Sequence, residues 1–259
     1  MTKSVLIQNL QIGSGMPKIC VPLTKTTQEE LLAEAAEAKA ARPDLVEWRA
    51  DFYEDLFQIP QMLDTLRKIA EVLAPVPLLF TIRTKHEGGN VHISAEDYAE
   101  INLQAAMAQA AAIVDVEIFW EEEKKALLIP QIRKNGTRVI ASSHNFKETG
   151  SREYLLERFR KMNEFPVDIL KMAVMPQTEE DVAAIMQVTK EMTEKYTEKP
   201  VVSMSMGTLG AISRIQGEGF GSAITFAAVG AVSAPGQFPI EILREKMKEY
   251  HRHLAKNHE

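Results

Sequence analysis

"DILKMAVMPQ", residues 168–177, runs directly into "TEEDVAAIMQVTKEM", residues 178–192, and this junction decides the fold. The run 169–174 reads as a buried strand. From Thr178 onward the spacing changes, and Val182, Ile185 and Met186 fall at i, i+3 and i+4, the period of an amphipathic helix. A buried strand thus hands over to a surface helix. In the middle of the strand stands Lys171, although lysine is almost never fully buried unless it is paired.

The same unit repeats in both directions. Short apolar runs occupy residues 19–23, 45–49, 77–83, 113–119, 139–144, 169–174, 201–206 and 223–229. Helical patterns separate them. "TTQEELLAEAAEAKAAR" carries a capping box of Thr27 and Glu30, in which each side chain satisfies an orphan backbone donor. "SAEDYAEINLQAAMAQA" starts at Ser94, and "SREYLLERFRKM" puts Leu155, Phe159 and Met162 on one face. Weaker helical patterns cover 62–72, 121–134, 209–217 and 239–256. Strands alternating with helices imply a parallel sheet with right-handed crossovers. Eight such units match a single (β/α)8 TIM barrel over residues 1–259. The alternative, an open doubly wound sheet, normally shows a glycine-rich turn after its first strand. "TKTTQEE" at that point has no glycine. The leading segment 5–13, "VLIQNLQIG", reads as an N-terminal β-hairpin closing the bottom of the barrel.

Composition narrows the function classes. The apolar fraction is 45%, the charged fraction 25% and the formal net charge −6, so no global field draws in nucleic acid or an anionic membrane. The N-terminus lacks a signal-peptide h-region, and no apolar run approaches the ~20 residues of a membrane span. Cys20 is the one cysteine, which excludes an intramolecular disulfide and a cysteine metal cluster. Its place in "KICVPL" suits a small core residue. These features point to a reduced, cytoplasmic protein without nucleic-acid or membrane partners.

In a barrel of this kind chemistry sits at the C-terminal ends of the strands. Alternate positions in a strand share a face, which pairs Glu47 with Arg49 in "LVEWRAD", Asp115 with Glu117 in "IVDVEIF", and Met204 with Met206. Arg83 ends the third strand, Glu87 follows in the loop, His144 ends the fifth strand and Arg214 follows the seventh. Each has a plain structural reading. Glu47 and Arg49 form a rim ion pair, His144 a structural hydrogen bond, Met204 and Met206 part of the core, and Arg214 a solvated cation. Lys171 snorkels to the rim or pairs with Glu47 or Asp115. Gathered at one mouth, the same residues read differently. A lysine among arginines and apolar walls has its ammonium form disfavoured by desolvation and like charge. The free amine attacks a carbonyl to form a Schiff base, histidine moves protons near neutral pH, and arginine grips carboxylates. The implied substrate is a small acidic ketone. His86, His92 and His144 lack metal-ligand spacing, and "GEGFGS" matches no P-loop.

Together "LVEWRAD", "FTIRTKHEGG", "DVEIF", "SSHNF", "KMAVMPQ", "SMSMGTLGAISR", "FGSAITF" and "SAPGQ" resemble type I 3-dehydroquinate dehydratase, in order and over nearly the whole chain. The resemblance implies a (β/α)8 barrel, usually a homodimer, that converts 3-dehydroquinate to 3-dehydroshikimate and water in the shikimate pathway, with no metal and no cofactor. It implies that Lys171 is the Schiff-base lysine, His144 the general acid–base and Glu87 its partner. Glu47, Arg49 and Arg83 would hold substrate hydroxyls, and Arg214 the carboxylate. Ser233 and Gln237 would close over the substrate, and Met204, Met206 and Phe226 would form apolar walls. Two positions depart from the usual pattern: Asn145 replaces a frequent aspartate, and Pro22 replaces a serine. Two other readings share these residues. A class I aldolase would use Lys171 to cleave a C–C bond, and a binding barrel for an acidic metabolite would need no nucleophile.

Overall fold

The computed structural model describes residues 2–230 and 236–257. A short antiparallel hairpin, β1 (Val5–Ile7) and β2 (Leu10–Ile12), precedes the main sheet. The main sheet has eight parallel strands: β3 (Lys18–Leu23), β4 (Leu45–Arg49), β5 (Leu78–Thr81), β6 (Ile113–Glu117), β7 (Arg138–Asn145), β8 (Ile169–Val174), β9 (Val201–Ser205) and β10 (Ile224–Phe226). Their order is β10-β3-β4-β5-β6-β7-β8-β9, with a further parallel bridge between Val201 and Ser222, so the sheet closes almost completely on itself. This is the expected (β/α)8 barrel, and the eight apolar runs fall on its eight strands.

Helices cover the outside: α1 (Gln28–Ala40), α2 (Ile59–Leu73), α3 (Ala95–Met107), α4 (Glu122–Lys134), α5 (Arg152–Glu164), α6 (Glu179–Glu191), α7 (Ala211–Ile215), α8 (Gly217–Phe220) and α9 (Ile240–Asn257). The Thr27–Glu30 capping box at α1 is formed, and Thr178 with Asp181 makes another at α6. The helix expected over 209–217 is broken into α7 and α8, because glycines at 210, 217 and 219 weaken helix propensity there. Among the described residues no helix is long and apolar enough to cross a membrane.

The core has two compartments, and β8 shows why. Leu170, Met172 and Val174 point outward into the layer between strands and helices. Ile169 and Ala173 point into the barrel. With both faces buried, the strand reads as a continuous apolar run, and Lys171 is the inward residue between Ile169 and Ala173. At the bottom, Ile7 and Ile12 of the hairpin pack against Cys20, Leu45, Leu79, Ile113, Ile140 and Ile169. The hairpin therefore closes the N-terminal end, and ligand access is left to the other end. Cys20 is a core residue, its thiol pushed up by burial first and by Glu47 second.

Candidate active site

At the C-terminal end of the barrel lies a cavity of about 470 Å³, lined by Glu47, Arg49, Arg83, His144, Phe146, Lys171, Ala173, Met204, Met206, Arg214, Phe226 and Gln237. Ten of the residues expected from sequence meet on this wall. Glu87 stands behind His144, and Ser233 lies outside the described residues.

Lys171 is the centre of the charge arrangement. Its Nζ lies 3.3 Å from Asp115 Oδ2, 3.5 Å from Glu47 Oε1 and 4.7 Å from the centroid of the Phe226 ring. These groups come from strands that alternate around the barrel, β4, β6, β8 and β10, whose inward side chains share a layer. The environment corrects one expectation. Arginines do surround the mouth, but carboxylates stand against them. Arg49 makes two bonds of 2.8 Å to Asp51. Arg83 reaches Asp115 and Glu117 at 2.9 Å each and Glu87 at 3.3 Å. The groups nearest Lys171 Nζ are the carboxyl groups of Asp115 and Glu47, the pairing of its plain structural reading, and not the arginines. The Glu47–Arg49 rim pair does not form either, since Glu47 turns inward to Lys171 and accepts from Thr81 Oγ1 at 2.9 Å.

His144 ends β7. Glu87 Oε2 accepts its backbone N–H at 2.9 Å and lies 2.8 Å from Nδ1. With Nδ1 donating to Glu87, Nε2 is the nitrogen left to accept a proton. Burial, then the charges of Arg83, Lys171 and Arg49, hold the imidazole well below its ordinary pKa, which keeps it uncharged at neutral pH. Glu87 is raised well above the usual carboxylate range, by burial first and by Glu117 second. Glu87 ends a one-turn helix, Lys85–Glu87, and Gly88 follows it at φ +78°. A Cβ at Gly88 would run into the Phe146 ring, and one at Gly89 into the carbonyl of Arg83. The glycines of "EGG" thus let the loop fold tightly behind His144.

Arg214, on α7, is 1% exposed, and burial pushes its guanidinium down to about 10, still a cation at neutral pH. Its Nη1 lies 3.7 Å from Met204 Sδ. A desolvated cation on the wall of a cavity is a strong grip for a carboxylate. Asn145 points away from the imidazole, and its Oδ1 accepts the backbone N–H groups of Lys147 at 2.9 Å and Glu148 at 3.2 Å.

Four residues in or behind this wall were not picked as site residues from the sequence. Phe146 follows His144 by two in "SSHNF", where alternation could have flagged it. Asp51 follows Arg49 by two, orients it, and also accepts from Arg83 N and Asn90 N at 3.2 Å each. Asp115 was read from the sequence only as an ion-pair partner for Lys171, and Glu117 was visible beside it as a same-face carboxylate in "IVDVEIF" without a role. Glu117 accepts from Thr84 N at 2.8 Å, Thr84 Oγ1 at 2.6 Å and Trp120 Nε1 at 2.9 Å.

A barrel with a buried lysine, a histidine–carboxylate pair and a buried arginine at its mouth has the layout of a (β/α)8 enzyme. The Type I 3-dehydroquinase family model matches residues 19–253, and the chain belongs to that family. It is accordingly a hydro-lyase, and the water it removes comes from 3-dehydroquinate. The chain is 41% identical over 254 residues to 3-dehydroquinate dehydratase of Clostridium botulinum, covering 98% of this chain and 100% of the relative. It is 40% identical over 252 residues to that of Bacillus velezensis, covering 97% and 100%. The crystal structure of type I 3-dehydroquinate dehydratase from Clostridium difficile with covalent modified comenic acid superposes with a TM-score of 0.94 at 37% identity, covering 97% of this chain and 99% of the other.

Proposed function

We propose that the dehydration runs through a Schiff base between Lys171 and the substrate ketone, with His144 as the single acid–base group of a syn elimination. Lys171 Nζ attacks the carbonyl carbon and the ketone oxygen leaves as water, which gives an iminium. The iminium withdraws electrons from C2, His144 Nε2 takes the C2 proton, and an enamine forms. The protonated imidazole then delivers that proton to the departing hydroxyl at C1, and the enamine collapses back to a conjugated iminium. Water attacks the iminium carbon, and release of the amine frees 3-dehydroshikimate. One histidine serves both steps because the proton and the hydroxyl leave from the same face.

The observation that carries this reading is the meeting of Lys171 and His144 on one cavity wall, with Glu87 behind the imidazole. Arg214 suits the substrate carboxylate, while Glu47, Arg49 and Arg83 suit its hydroxyls. Ser233 and Gln237 suit closure over it, and Met204, Met206, Phe146 and Phe226 suit its ring. A homodimer of one-domain subunits in a reducing cytoplasm agrees with the family resemblance and with the lone Cys20; sedimentation velocity tests the dimer.

The test is direct. Purified protein mixed with 3-dehydroquinate should develop the absorbance of a conjugated enone. Borohydride added during turnover should fix ligand mass on the peptide containing Lys171. An adduct on another lysine, or turnover with no adduct, removes Lys171 as the nucleophile. Cleavage of a C–C bond instead of dehydration would point to the aldolase reading, and binding without turnover to a metabolite-binding barrel.

A further inference from the structure

The two carboxylates that meet Lys171 are not equivalent. Glu47 lines the cavity, and its Oε1 is shared with Thr81 Oγ1. Asp115 is completely buried behind the wall. Its Oδ1 accepts from Ser142 Oγ at 2.6 Å and from Arg83 Nη2 at 2.9 Å, which aims Oδ2 at Lys171 Nζ, 3.3 Å away. Burial alone would raise this carboxyl, but Arg83 and then Lys171 outweigh it and hold it below its ordinary pKa. A fixed negative charge therefore backs the reactive nitrogen on the side away from the substrate.

We propose that Asp115 is a further catalytic residue: its Oδ2 is the counter-ion of the Lys171 nitrogen and accepts the N–H of the iminium. This rests on the Schiff-base reading above. The balance of the step explains why a permanent anion fits. An ammonium and a ketone give an iminium and a water. One C–N double bond forms and the C–O double bond breaks. Two protons of the ammonium depart with the oxygen as water, and the third stays as the iminium N–H. The nitrogen carries one positive charge before and after, so a carboxylate at hydrogen-bond distance pairs with both states. The neutral amine and the carbinolamine lie between them, the enamine lies between the two iminium states, and the nitrogens of all three carry no charge for Asp115 to hold. Asp115 thus favours the iminium over its neutral neighbours. It helps the imine accumulate, and it draws the enamine back to the iminium as the hydroxyl departs. Glu47 is placed to face substrate; Asp115 is sealed against exchange with it.

Asp115→Asn tests this, since it removes the charge and keeps the shape. The readout is the imine equilibrium constant, taken from the fraction of chain trapped by borohydride across a titration with 3-dehydroshikimate. Beside it stands the affinity for an analogue with a hydroxyl in place of the ketone, which binds but forms no imine. Measured at a pH high enough to start from the neutral amine, which Asp115 does not hold, the imine constant should fall roughly ten- to a hundredfold, the worth of one charge-assisted hydrogen bond, while the alcohol analogue binds as before. An unchanged imine constant overturns the proposal. So does an equal loss for both ligands, which would mean that Asp115 only positions Arg83. Should Asp115→Asn fail to fold, Ser142→Ala decides. That change takes a donor from Oδ1 and leaves more charge on Asp115, so the imine constant should hold or rise, and a fall sinks the idea. Wild-type protein that gives no Lys171 adduct would defeat the Schiff-base reading itself, which is a different result.

Discussion

Lys171 and Lys125 are both buried, at 4% and 1% exposure, yet their surroundings are opposite. Lys125 stands on α4 with Nζ 3.5 Å from the centroid of Trp120 and 4.5 Å from that of Tyr98, and makes no hydrogen bond. Burial pushes it down to about 8, against the pull of Glu117 and Glu121. By the desolvation argument alone Lys125 is the better candidate for a free amine. It faces aromatic rings, however, and is not on the wall of the cavity at the barrel mouth. Lys171 is paired with carboxylates and opens on the cavity that also holds His144 and Arg214. Burial lowers basicity; what makes an amine useful is a place for the electrophile and groups that carry the charge through the reaction.

The largest expected effect tests that comparison itself. Lys171→Ala should abolish the borohydride adduct and lower turnover on the order of 10⁴-fold or more, as losses of covalent nucleophiles do. Lys125→Met should leave the adduct in place and turnover near wild type. Its stability should change by no more than about 1 kcal/mol, because it exchanges a cation–π contact for apolar packing. A lost adduct in Lys125→Met, read by intact mass, would break the contrast.

His144→Ala should separate the two halves of the chemistry. The imine should still form, while turnover falls about 10²–10⁴-fold, the range of a positioned acid–base group. Mass spectrometry after quenching, beside the steady-state rate, reads both. Turnover near wild type would move the base elsewhere, and Glu47 would be tested first. Arg214→Ala should act on binding, at a cost on the order of 2–5 kcal/mol for a buried charge contact. It should appear mainly as a higher KM and weaker inhibitor binding, and unchanged values would place the carboxylate grip on another residue.

The smallest effects concern pH. The His144 pKa is lowered, so it stays a base below its ordinary value of about 6.5. The acid limb of kcat should therefore fall below that value. The same shift has a sign for stability. The unfolded histidine takes up its proton at higher pH than the folded one, so this group costs nothing above about pH 6.5 and destabilises as pH falls through and below it. Asn145→Asp should move the acid limb only slightly upward, because this side chain is turned to Lys147 and Glu148. A kcat profile with its acid limb well above 6.5 in wild type would show that the cations at the mouth do not act on His144 as the geometry implies.

Periodicity fixes much of this molecule before any contact is known. Eight apolar runs with helices between them imply a parallel sheet and match a closed barrel. Strand ends give the positions of Arg83 and His144, and an inward lysine in "ILKMAV" announces a site. The resemblance adds the reaction, because its long motifs recur in order. What sequence reasoning left open is pairing across the barrel, since carboxylates beside Lys171 stood as one reading and arginines as another. Asp115 and Glu47 lie 56 and 124 residues from Lys171. Whether they or the arginines stand beside its amine depends on strand register and on which alternate strands share a layer. The same holds for Asp51, which takes up Arg49, and for Glu117, which ties Arg83 to Trp120. The sequence by itself determined which groups reach the mouth, since the two-residue repeat of a strand is local. Only the tertiary structure decided which charges touch, because Coulomb and hydrogen-bond energies depend on distances of a few ångströms that closure of the barrel sets.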